Sequence, residues 1–204
     1  MRIVIVDYGL GNLFSVTAVL KELGHDFVLD TDGSLISQAE IALVPGVAAF
    51  GAGLDRLRST DQATELTKHW EQGKRLIGLC LGAQMFLDSS DEDAGYEGFG
   101  FVTGHVKALD RQLGRVPNQG WLKVEFTGPL QAQVEIQKDP DYFYFSHSYK
   151  FQVSEPSAEH GIAHSGQERI VAAYQHDNVT GIQFHPERSG PAGLRLLAHL
   201  LRAQ

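Results

Sequence analysis

Short apolar segments alternate with helical patterns through the first part of this chain, and no other feature restricts its possible folds as much. One predicted helix begins after Asn12, carries apolar residues every three or four positions and ends at Gly24, and another covers residues 61–72. Apolar strands separated by helices are typical of a parallel sheet with right-handed crossovers and two covered faces. The pattern therefore predicts a three-layer, doubly wound α/β core. Its predicted strands are residues 2–7, 27–30, 41–45 and 75–79.

The pattern changes after about Phe99, where shorter β-rich pieces are separated by Gly, Pro and Asp. Such pieces predict hairpins packed against the core, so that a mostly parallel sheet carries added antiparallel strands. A final helix over residues 191–201 has leucines along one face. We expect residues 1–204 to form a single domain, because a chain of this length can build one substantial core. The β-rich pieces are residues 101–109, 122–126, 142–145, 170–174 and 181–184.

Composition and charge exclude several classes of function. The formal net charge is -8 and Lys and Arg are scattered, which argues against nucleic-acid binding because that requires clustered positive charge. The apolar start of the chain is short and is broken by Asp7, and no segment approaches the roughly 18 apolar residues of a membrane span. We therefore expect a soluble, cytoplasmic protein. The single cysteine, Cys80, excludes an internal disulfide and a cysteine-rich metal site, so it is either buried or reactive.

Cys80 lies in the segment Gly78-Leu79-Cys80-Leu81-Gly82, directly after a predicted strand and before a helical pattern. The thiol form of a Gly-x-Ser-x-Gly motif places its nucleophile on a sharp turn where only small neighbours fit, at the carboxyl ends of the strands. Unpaired N–H groups at the start of the following helix favour a thiolate there. The alternative is that Cys80 is a small buried hydrophobe. The glycine on each side of the only cysteine favours the nucleophile.

A base for this cysteine is expected at His185, which follows the apolar strand pattern of residues 179–184. An imidazole at the carboxyl end of one strand can reach the turn of a neighbouring strand, and Glu187 can orient the ring and stabilise its protonated form. Pro186 stiffens the turn between the two side chains. Among the nine histidines, the one serious rival is His147, which also follows a predicted strand but lacks a nearby carboxylate.

The segment from Gly78 to Gln84, together with Phe184-His185-Pro186-Glu187, resembles the motifs of the class I (triad) glutamine amidotransferases. Further matches resemble the branch of this family that serves as the glutaminase subunit of imidazole glycerol phosphate synthase in histidine biosynthesis. The resemblance implies a flavodoxin-like core and a Cys-His-Glu triad in which Cys80 attacks the glutamine amide and His185 passes a proton to the leaving ammonia. The further matches are residues 7–13, 45–47, 98–100, 120–121, 144–149 and 183–190.

The resemblance also implies a set of residues around the triad. They comprise backbone donors for the oxyanion, side chains that hold the glutamine, and contacts with a partner subunit. The oxyanion donors are Leu81 and one N–H from Gly46 or Val47; the glutamine-binding residues are Gln84, Glu92, Ser146, His147 and Ser148; the partner contacts are Asn12, Trp121 and Arg188. Each has a plain alternative: Gln84 could be an ordinary exposed helix residue, Glu92 would without the resemblance lie in a solvated acidic loop, and Trp121 could belong to the core.

The implied partner is a cyclase/synthase subunit that forms a heterodimer with this chain and receives the ammonia. Neither a metal site nor a cofactor site is expected. Two segments depart from the family pattern: Ala48 stands where Pro-Gly-Val-Gly has its second glycine, and residues 117–122 differ from Pro-His-Met-Gly-Trp-Asn at three positions. If the position of Ala48 must adopt φ above zero, alanine would disfavour that conformer by about 1–2 kcal/mol.

Three other functions remain open. The departures at residues 117–122 fit a paralogous subunit that supplies ammonia to a related synthase in cell-surface sugar modification. A hydrolase of the DJ-1/PfpI type also places a cysteine on a strand-to-helix turn, although the arrangement of His185 and Glu187 disfavours it. The chain could also be an interaction subunit whose triad is idle, in which case Cys80 would resist alkylation near neutral pH.

Overall fold

The computed structural model describes residues 2–133 and 142–202, and its centre is an eleven-stranded mixed sheet. The strands are β1 (Ile3–Val6), β2 (Phe27–Asp30), β3 (Ile41–Gly46), β4 (Arg75–Cys80), β5 (Ser89–Ser90), β6 (Gly104–Ala108), β7 (Asn118–Lys123), β8 (Glu125–Phe126), β9 (Tyr142–His147), β10 (Tyr149–Val153), β11 (Glu159–Ser165), β12 (Glu168–His176) and β13 (Val179–Ile182). The helices are α1 (Leu13–Glu22), α2 (Phe50–Arg58), α3 (Gln62–Glu71), α4 (Leu81–Met85), α5 (Gly128–Gln133) and α6 (Gly190–Leu200).

The core of the sheet consists of parallel strands in the order β2-β1-β3-β4-β13. Alternate residues point to opposite faces, and each face has its own apolar cluster. In β1, Ile3 and Ile5 join the cluster under α1 and α6, whereas Val4 and Val6 join the cluster under α2, α3 and α4. All residues of β1 and β3 are buried, as strands covered on both faces should be. The predicted doubly wound α/β fold is confirmed.

The predicted antiparallel addition lies on one side of this core. Strands β12, β10 and β6 continue the sheet beyond β13 with antiparallel pairing, and β11 pairs with β12 and β8. Strands β7 and β9 form a separate two-stranded sheet. The pieces at residues 170–174 and 181–184 form a hairpin, as expected, because β12 and β13 pair antiparallel. Strand β13 also pairs with β4 and is thus the fifth parallel strand, which the prediction did not include. The predicted piece at residues 122–126 is divided between β7 and β8.

The sequence pattern does not predict helix α2, because Gly51 and Gly53 lower the helix propensity of this segment. Tertiary packing explains both glycines. A Cβ at Gly53 would lie 2.7 Å from Sδ of Met85, and a Cβ at Gly51 would lie 2.8 Å from the ring of Tyr96. The apolar side chains of α2 are buried in the same cluster as α4. The helix is therefore held by close packing against α4, which follows the cysteine turn.

Helix α1 has the predicted ends. The side-chain oxygen of Asn12 accepts a hydrogen bond from the backbone N–H of Ser15, and Gly24 has a φ of 73° just beyond the last turn. This places Asn12 and the start of α1 at the same edge of the sheet as the carboxyl ends of β1 and β3. Within the two described ranges, no helix combines the length and the apolar character that crossing a membrane requires.

Candidate active site

Cys80 is the last residue of β4 and has φ 52° and ψ -108°, in a region that non-glycine residues rarely adopt. The flanking glycines are required by space. A Cβ at Gly78 would lie 2.5 Å from the backbone nitrogen of Ala83, and a Cβ at Gly82 would lie 1.8 Å from the carbonyl oxygen of Val44. The sharp strand-to-helix turn expected from the Gly-x-Cys-x-Gly pattern is therefore present. Strain of this kind is typical of positions where function dictates the backbone.

His185 follows β13, the strand next to β4, and its ring lies between Cys80 and Glu187. Nδ1 of His185 is 2.8 Å from Oε1 of Glu187, and the two side chains are 4% and 3% exposed. Burial by itself would lower the pKa of His185, but hydrogen bonds and charge interactions with Cys80 and Glu187 raise that pKa to about 10. The arrangement therefore favours an imidazolium beside the sulfur, where the ring can donate a proton.

The turn that carries His185 and Glu187 is itself held by hydrogen bonds. The backbone N–H of His185 donates to the carbonyl of Tyr144 at 2.8 Å, and the hydroxyl of Ser189 donates to the carbonyl of His185 at 2.6 Å. The backbone N–H of Tyr144 donates to the same hydroxyl at 3.0 Å. Ser189 thus ties the histidine turn to β9, so that the ring is positioned by two neighbouring segments.

Gln183 is a site residue that the sequence reasoning missed. It is fully buried, and its side-chain nitrogen lies 3.9 Å from Sγ of Cys80. Its side-chain oxygen is 3.5 Å from Nε2 of Gln84, a contact at the upper limit for a hydrogen bond. The signal that could have found it is strand alternation, because Gln183 stands two residues before His185 and side chains at that spacing share a face.

The cysteine and the histidine open into one cavity of about 520 Å³. Most of the residues predicted for the site line this cavity, although they come from segments far apart in the chain. The lining comprises Asn12, Val47, Ala48, Cys80, Leu81, Gln84, Glu92, Pro117, Ser146, His147, Ser148, Tyr149, His185 and Arg188. Of the other predicted residues, Glu187 supports His185, Gly46 lies opposite Cys80 in the register of β3 and β4, and Trp121 lies outside the lining.

The two predicted oxyanion donors differ in their availability. Leu81 is the first residue of α4, where a helix makes no internal bond to the backbone N–H. In contrast, the N–H of Val47 donates to the carbonyl oxygen of Leu10 at 2.9 Å. The backbone of Ala48 does not have a positive φ. The segment of Gly46, Val47 and Ala48 is therefore in a conformation that directs the Val47 N–H towards Leu10.

Glu92 is not part of a merely solvated loop. Its Oε2 accepts a hydrogen bond from the backbone N–H of Phe50 at 2.9 Å, and Asp93 accepts one from the N–H of Gly51 at 2.7 Å. Burial raises the pKa of Glu92, and the charge of Asp93 raises it further. Glu92 thus lines the cavity and also caps the start of α2.

His147 lines the cavity, but both of its ring nitrogens are occupied. The side-chain amide of Asn118 is 2.8 Å from Nε2, and Nδ1 is 2.7 Å from the carbonyl oxygen of Tyr149. Amide N–H to Nε2 and Nδ1–H to the carbonyl require a neutral ring, and burial lowers the pKa of His147 to about 4. His147 is therefore a neutral, hydrogen-bonded side chain, which disfavours it as the base.

Gln84 is buried, unlike an ordinary exposed helix residue, and its amide nitrogen lies 3.3 Å from the carbonyl oxygen of Tyr149. At the mouth of the cavity, the guanidinium of Arg188 lies 4.4 Å from the ring centre of Tyr144. Trp121 meets the same ring edge-on at 5.9 Å and is 53% exposed, so it is not a core residue. Across the two described ranges, no three His, Cys, Asp or Glu side chains form a group that could hold a metal ion.

Comparison with known proteins identifies similar sequences over nearly the full length. A family model described as Glutamine amidotransferase class-I matches residues 4–203. A protein of Aquifex aeolicus named imidazole glycerol phosphate synthase subunit HisH is 34% identical over 203 residues, which cover 99% of this chain and 97% of that protein. A protein of the same name from Caldanaerobacter subterraneus subsp. tengcongensis is 38% identical over 195 residues, which cover 95% and 94%.

Two solved structures are similar to this fold. A crystal structure of a glutamine amidotransferase has a TM-score of 0.78 at 17% identity and covers 98% of this chain and 96% of its own. The structure of PurLQS from Thermotoga maritima has a TM-score of 0.74 at 19% identity, with coverages of 98% and 97%. At these identities the likeness establishes the fold alone.

Proposed function

Because the chain belongs to the class I glutamine amidotransferase family, we propose that it releases ammonia from glutamine with Cys80 as nucleophile, His185 as proton carrier and Glu187 as the group that orients His185. The chain is the glutaminase subunit of an imidazole glycerol phosphate synthase in histidine biosynthesis. The observation that carries the assignment of residues is the buried His185–Glu187 pair at the end of the strand next to the Cys80 turn.

The proposed reaction has two stages. The Cys80 thiolate attacks the side-chain amide carbon of glutamine, and the His185 imidazolium transfers its proton to the leaving nitrogen, which departs as ammonia. A glutamyl thioester remains on Cys80. The neutral His185 then accepts a proton from water as the water attacks the thioester, and glutamate is released. The raised pKa of His185 supports this order because it favours the proton donor in the resting enzyme.

The oxyanion is stabilised by the N–H of Leu81 and, after rearrangement, by the N–H of Val47. The hydrogen bond from Val47 to Leu10 must break before the second N–H becomes available. We therefore expect slow hydrolysis by the chain alone and faster hydrolysis when a bound partner favours the rearranged segment. Glutamine itself is held by the residues of the cavity, with the Glu92 carboxylate facing its ammonium group and with Gln84, Ser146, His147 and Ser148 around its carboxylate end.

A cyclase subunit is the proposed partner, and we place its contact surface at the cavity mouth, near Asn12, Trp121 and Arg188. The large exposed side chain of Phe14 adjoins Asn12, and Trp121 is half-exposed. Of the three departures from the family pattern, Asn118 is buried and bonds to His147, whereas Gln119 is exposed and Leu122 is half-buried. The nearly full-length relatives named as the HisH subunit favour the cyclase over a paralogous synthase. We further propose a cytoplasmic location, since a reactive thiol persists in a reducing compartment.

The test is glutamate release from glutamine by the purified chain, alone and with the cyclase subunit and its phosphoribosyl ligand. Cys80→Ala should abolish release and leave ammonia-dependent synthesis by the complex intact. His185→Ala should have a similar effect, whereas His176→Ala, which changes a half-exposed histidine outside the cavity lining, should match the native chain. Iodoacetamide should modify Cys80 near neutral pH faster than a free thiol. Glutamate release by Cys80→Ala at the native rate would refute the assignment.

A further inference from the structure

The hydroxyl of Tyr8 is a buried polar group that the proposed reaction leaves unused. Tyr8 follows β1 and is only 6% exposed, and its oxygen has no hydrogen-bond partner within residues 2–133 and 142–202. Buried hydroxyls are rarely left unpaired, because removal from water costs free energy that a hydrogen bond normally offsets. An unpaired hydroxyl next to a reactive cysteine therefore requires an explanation, such as a partner that arrives in another conformation.

The position of this hydroxyl is defined by Gly46. A Cβ added to Gly46 would lie 2.0 Å from the Tyr8 oxygen, so the hydroxyl rests directly against the Cα of Gly46. Gly46 faces Cys80 in the register of β3 and β4. Burial, with a smaller contribution from Cys80, raises the pKa of Tyr8 far above its usual value. The hydroxyl consequently keeps its proton and is available as a hydrogen-bond donor.

The peptide between Gly46 and Val47 carries a carbonyl group beside the Tyr8 hydroxyl. Its N–H is bonded to the carbonyl of Leu10 and must turn away from Leu10 to serve the oxyanion. The N–H and C=O of a trans peptide point in opposite directions, so a turn of this peptide moves the Gly46 carbonyl as well. The carbonyl then needs a new donor, since a buried carbonyl without one is costly.

We propose that the Tyr8 hydroxyl donates a hydrogen bond to the Gly46 carbonyl once this peptide has turned, and so stabilises the conformation in which Val47 faces the oxyanion. Tyr8 is a positioning residue that acts through the Gly46–Val47 peptide and does not touch the substrate. The inference rests on the proposed glutaminase function. It accounts for both observations, the unpaired hydroxyl in the resting conformation and its contact with Gly46.

Tyr8→Phe removes the hydroxyl and keeps the ring, so it isolates the proposed bond. For glutamine hydrolysis by the complex with its partner, kcat should fall about ten-fold, the effect of losing one hydrogen bond in the active conformation, while KM stays within two-fold. The rate of Cys80 alkylation by iodoacetamide, followed from pH 5 to 9, should not change, because the hydroxyl acts on the peptide and not on the sulfur.

Tyr174→Phe is the matched comparison for stability. The Tyr174 hydroxyl is also buried but donates to the carbonyl of Ala83 at 2.6 Å, so its removal should lower the melting temperature. Tyr8→Phe should leave the melting temperature unchanged or raised, since no bond of the resting conformation is lost.

The outcomes separate this inference from the proposed function. A Tyr8→Phe chain with native kcat beside an active native chain would overturn the role of Tyr8 alone. A shifted alkylation profile would also overturn it, because the hydroxyl would then act on the thiolate. A native chain that releases no glutamate with its partner would overturn the proposed function and the inference together. A ten-fold lower kcat with unchanged KM and alkylation and with a melting temperature no lower than that of the native chain would support the role.

Discussion

Ala48 follows the Gly46–Val47 peptide and stands where the family pattern has a second glycine. In the resting conformation, Ala48 does not have a positive φ. If the turned conformation requires a positive φ at this position, glycine adopts it at a lower free-energy cost than alanine. Ala48→Gly should then raise kcat for partner-stimulated hydrolysis by about 5- to 30-fold, corresponding to about 1–2 kcal/mol. The control is Ala49→Gly, which adds flexibility at the cap position of α2, and kcat is measured for both variants. Equal effects of the two substitutions would contradict a specific role of position 48.

The buried pair of His185 and Glu187 predicts a pH dependence of stability. The folded-state pKa of His185, about 10, exceeds the value of about 6.5 for an unfolded histidine. Because the folded-state pKa is the higher one, the protonated ring stabilises the fold fully below about pH 6.5, and this contribution is lost as the pH rises through about 10. In urea titrations, the native chain should unfold with a larger free energy than Glu187→Gln, by a margin that shrinks across this range. A constant margin would argue against the raised pKa.

At the scale of single elements, α2 connects the segment of Val47 with the loop of Glu92. The helix begins three residues after Val47, and its first two N–H groups are bonded to Glu92 and Asp93. Carboxylates at a helix start satisfy unpaired N–H groups and complement the helix dipole. The loop of Glu92 and the segment of Val47 are therefore attached to the same end of one helix.

Asp93→Asn tests this attachment without altering a residue of the cavity lining. We expect the free energy of unfolding to fall by about 0.3–1 kcal/mol, because the neutral amide loses the charge that complements the start of α2 and is a weaker acceptor for the N–H of Gly51. The matched control is Asp32→Asn, which changes an exposed turn carboxylate that accepts from Ser34. Urea titrations of both variants give the comparison, and an equal loss in the two would show that the cap on α2 adds nothing.

At the scale of the whole molecule, exposed apolar side chains lie on the cavity lining or next to it: Val47 lines the cavity, Phe14 is two residues from Asn12 of the lining, and Trp121 contacts the ring on which Arg188 lies. Phe14 is 84% exposed, and Val47 and Trp121 are each about half exposed. Large apolar side chains left in water are typical of a surface that a partner covers. Their position around the cavity is consistent with a partner that both receives the ammonia and acts on the Gly46–Val47 segment.

Trp121→Ala should weaken binding of the cyclase subunit by at least ten-fold, since an aromatic side chain at a contact surface often contributes more than 1 kcal/mol. Unstimulated hydrolysis by the chain alone should not change. The affinity is measured from the concentration of cyclase that gives half-maximal stimulation. Leu29→Ala, at an exposed apolar residue on edge strand β2, is the control and should bind normally. Loss of binding in both variants would disprove a local contact at Trp121.

Several parts of the fold and site followed from local patterns in the sequence. The parallel strands have continuous apolar runs, α1 has Asn12 and Gly24 at its ends, and the cysteine turn has Gly78 and Gly82. Each of these features depends on residues that are close in sequence, so a single sequence carries them. The proximity of Cys80 and His185 was also predictable, because the carboxyl ends of neighbouring parallel strands meet at one edge of the sheet.

The remaining features depend on contacts between distant segments. Sequence patterns do not show that Glu92 caps α2 or that Tyr8 rests against Gly46. The bond from Val47 to Leu10 likewise joins two separate turns and depends on their relative position. The sequence by itself thus determined the α/β class and the chemistry of the triad candidates. Only the tertiary structure decided which buried polar groups are paired and which are not, because packing alone sets those distances.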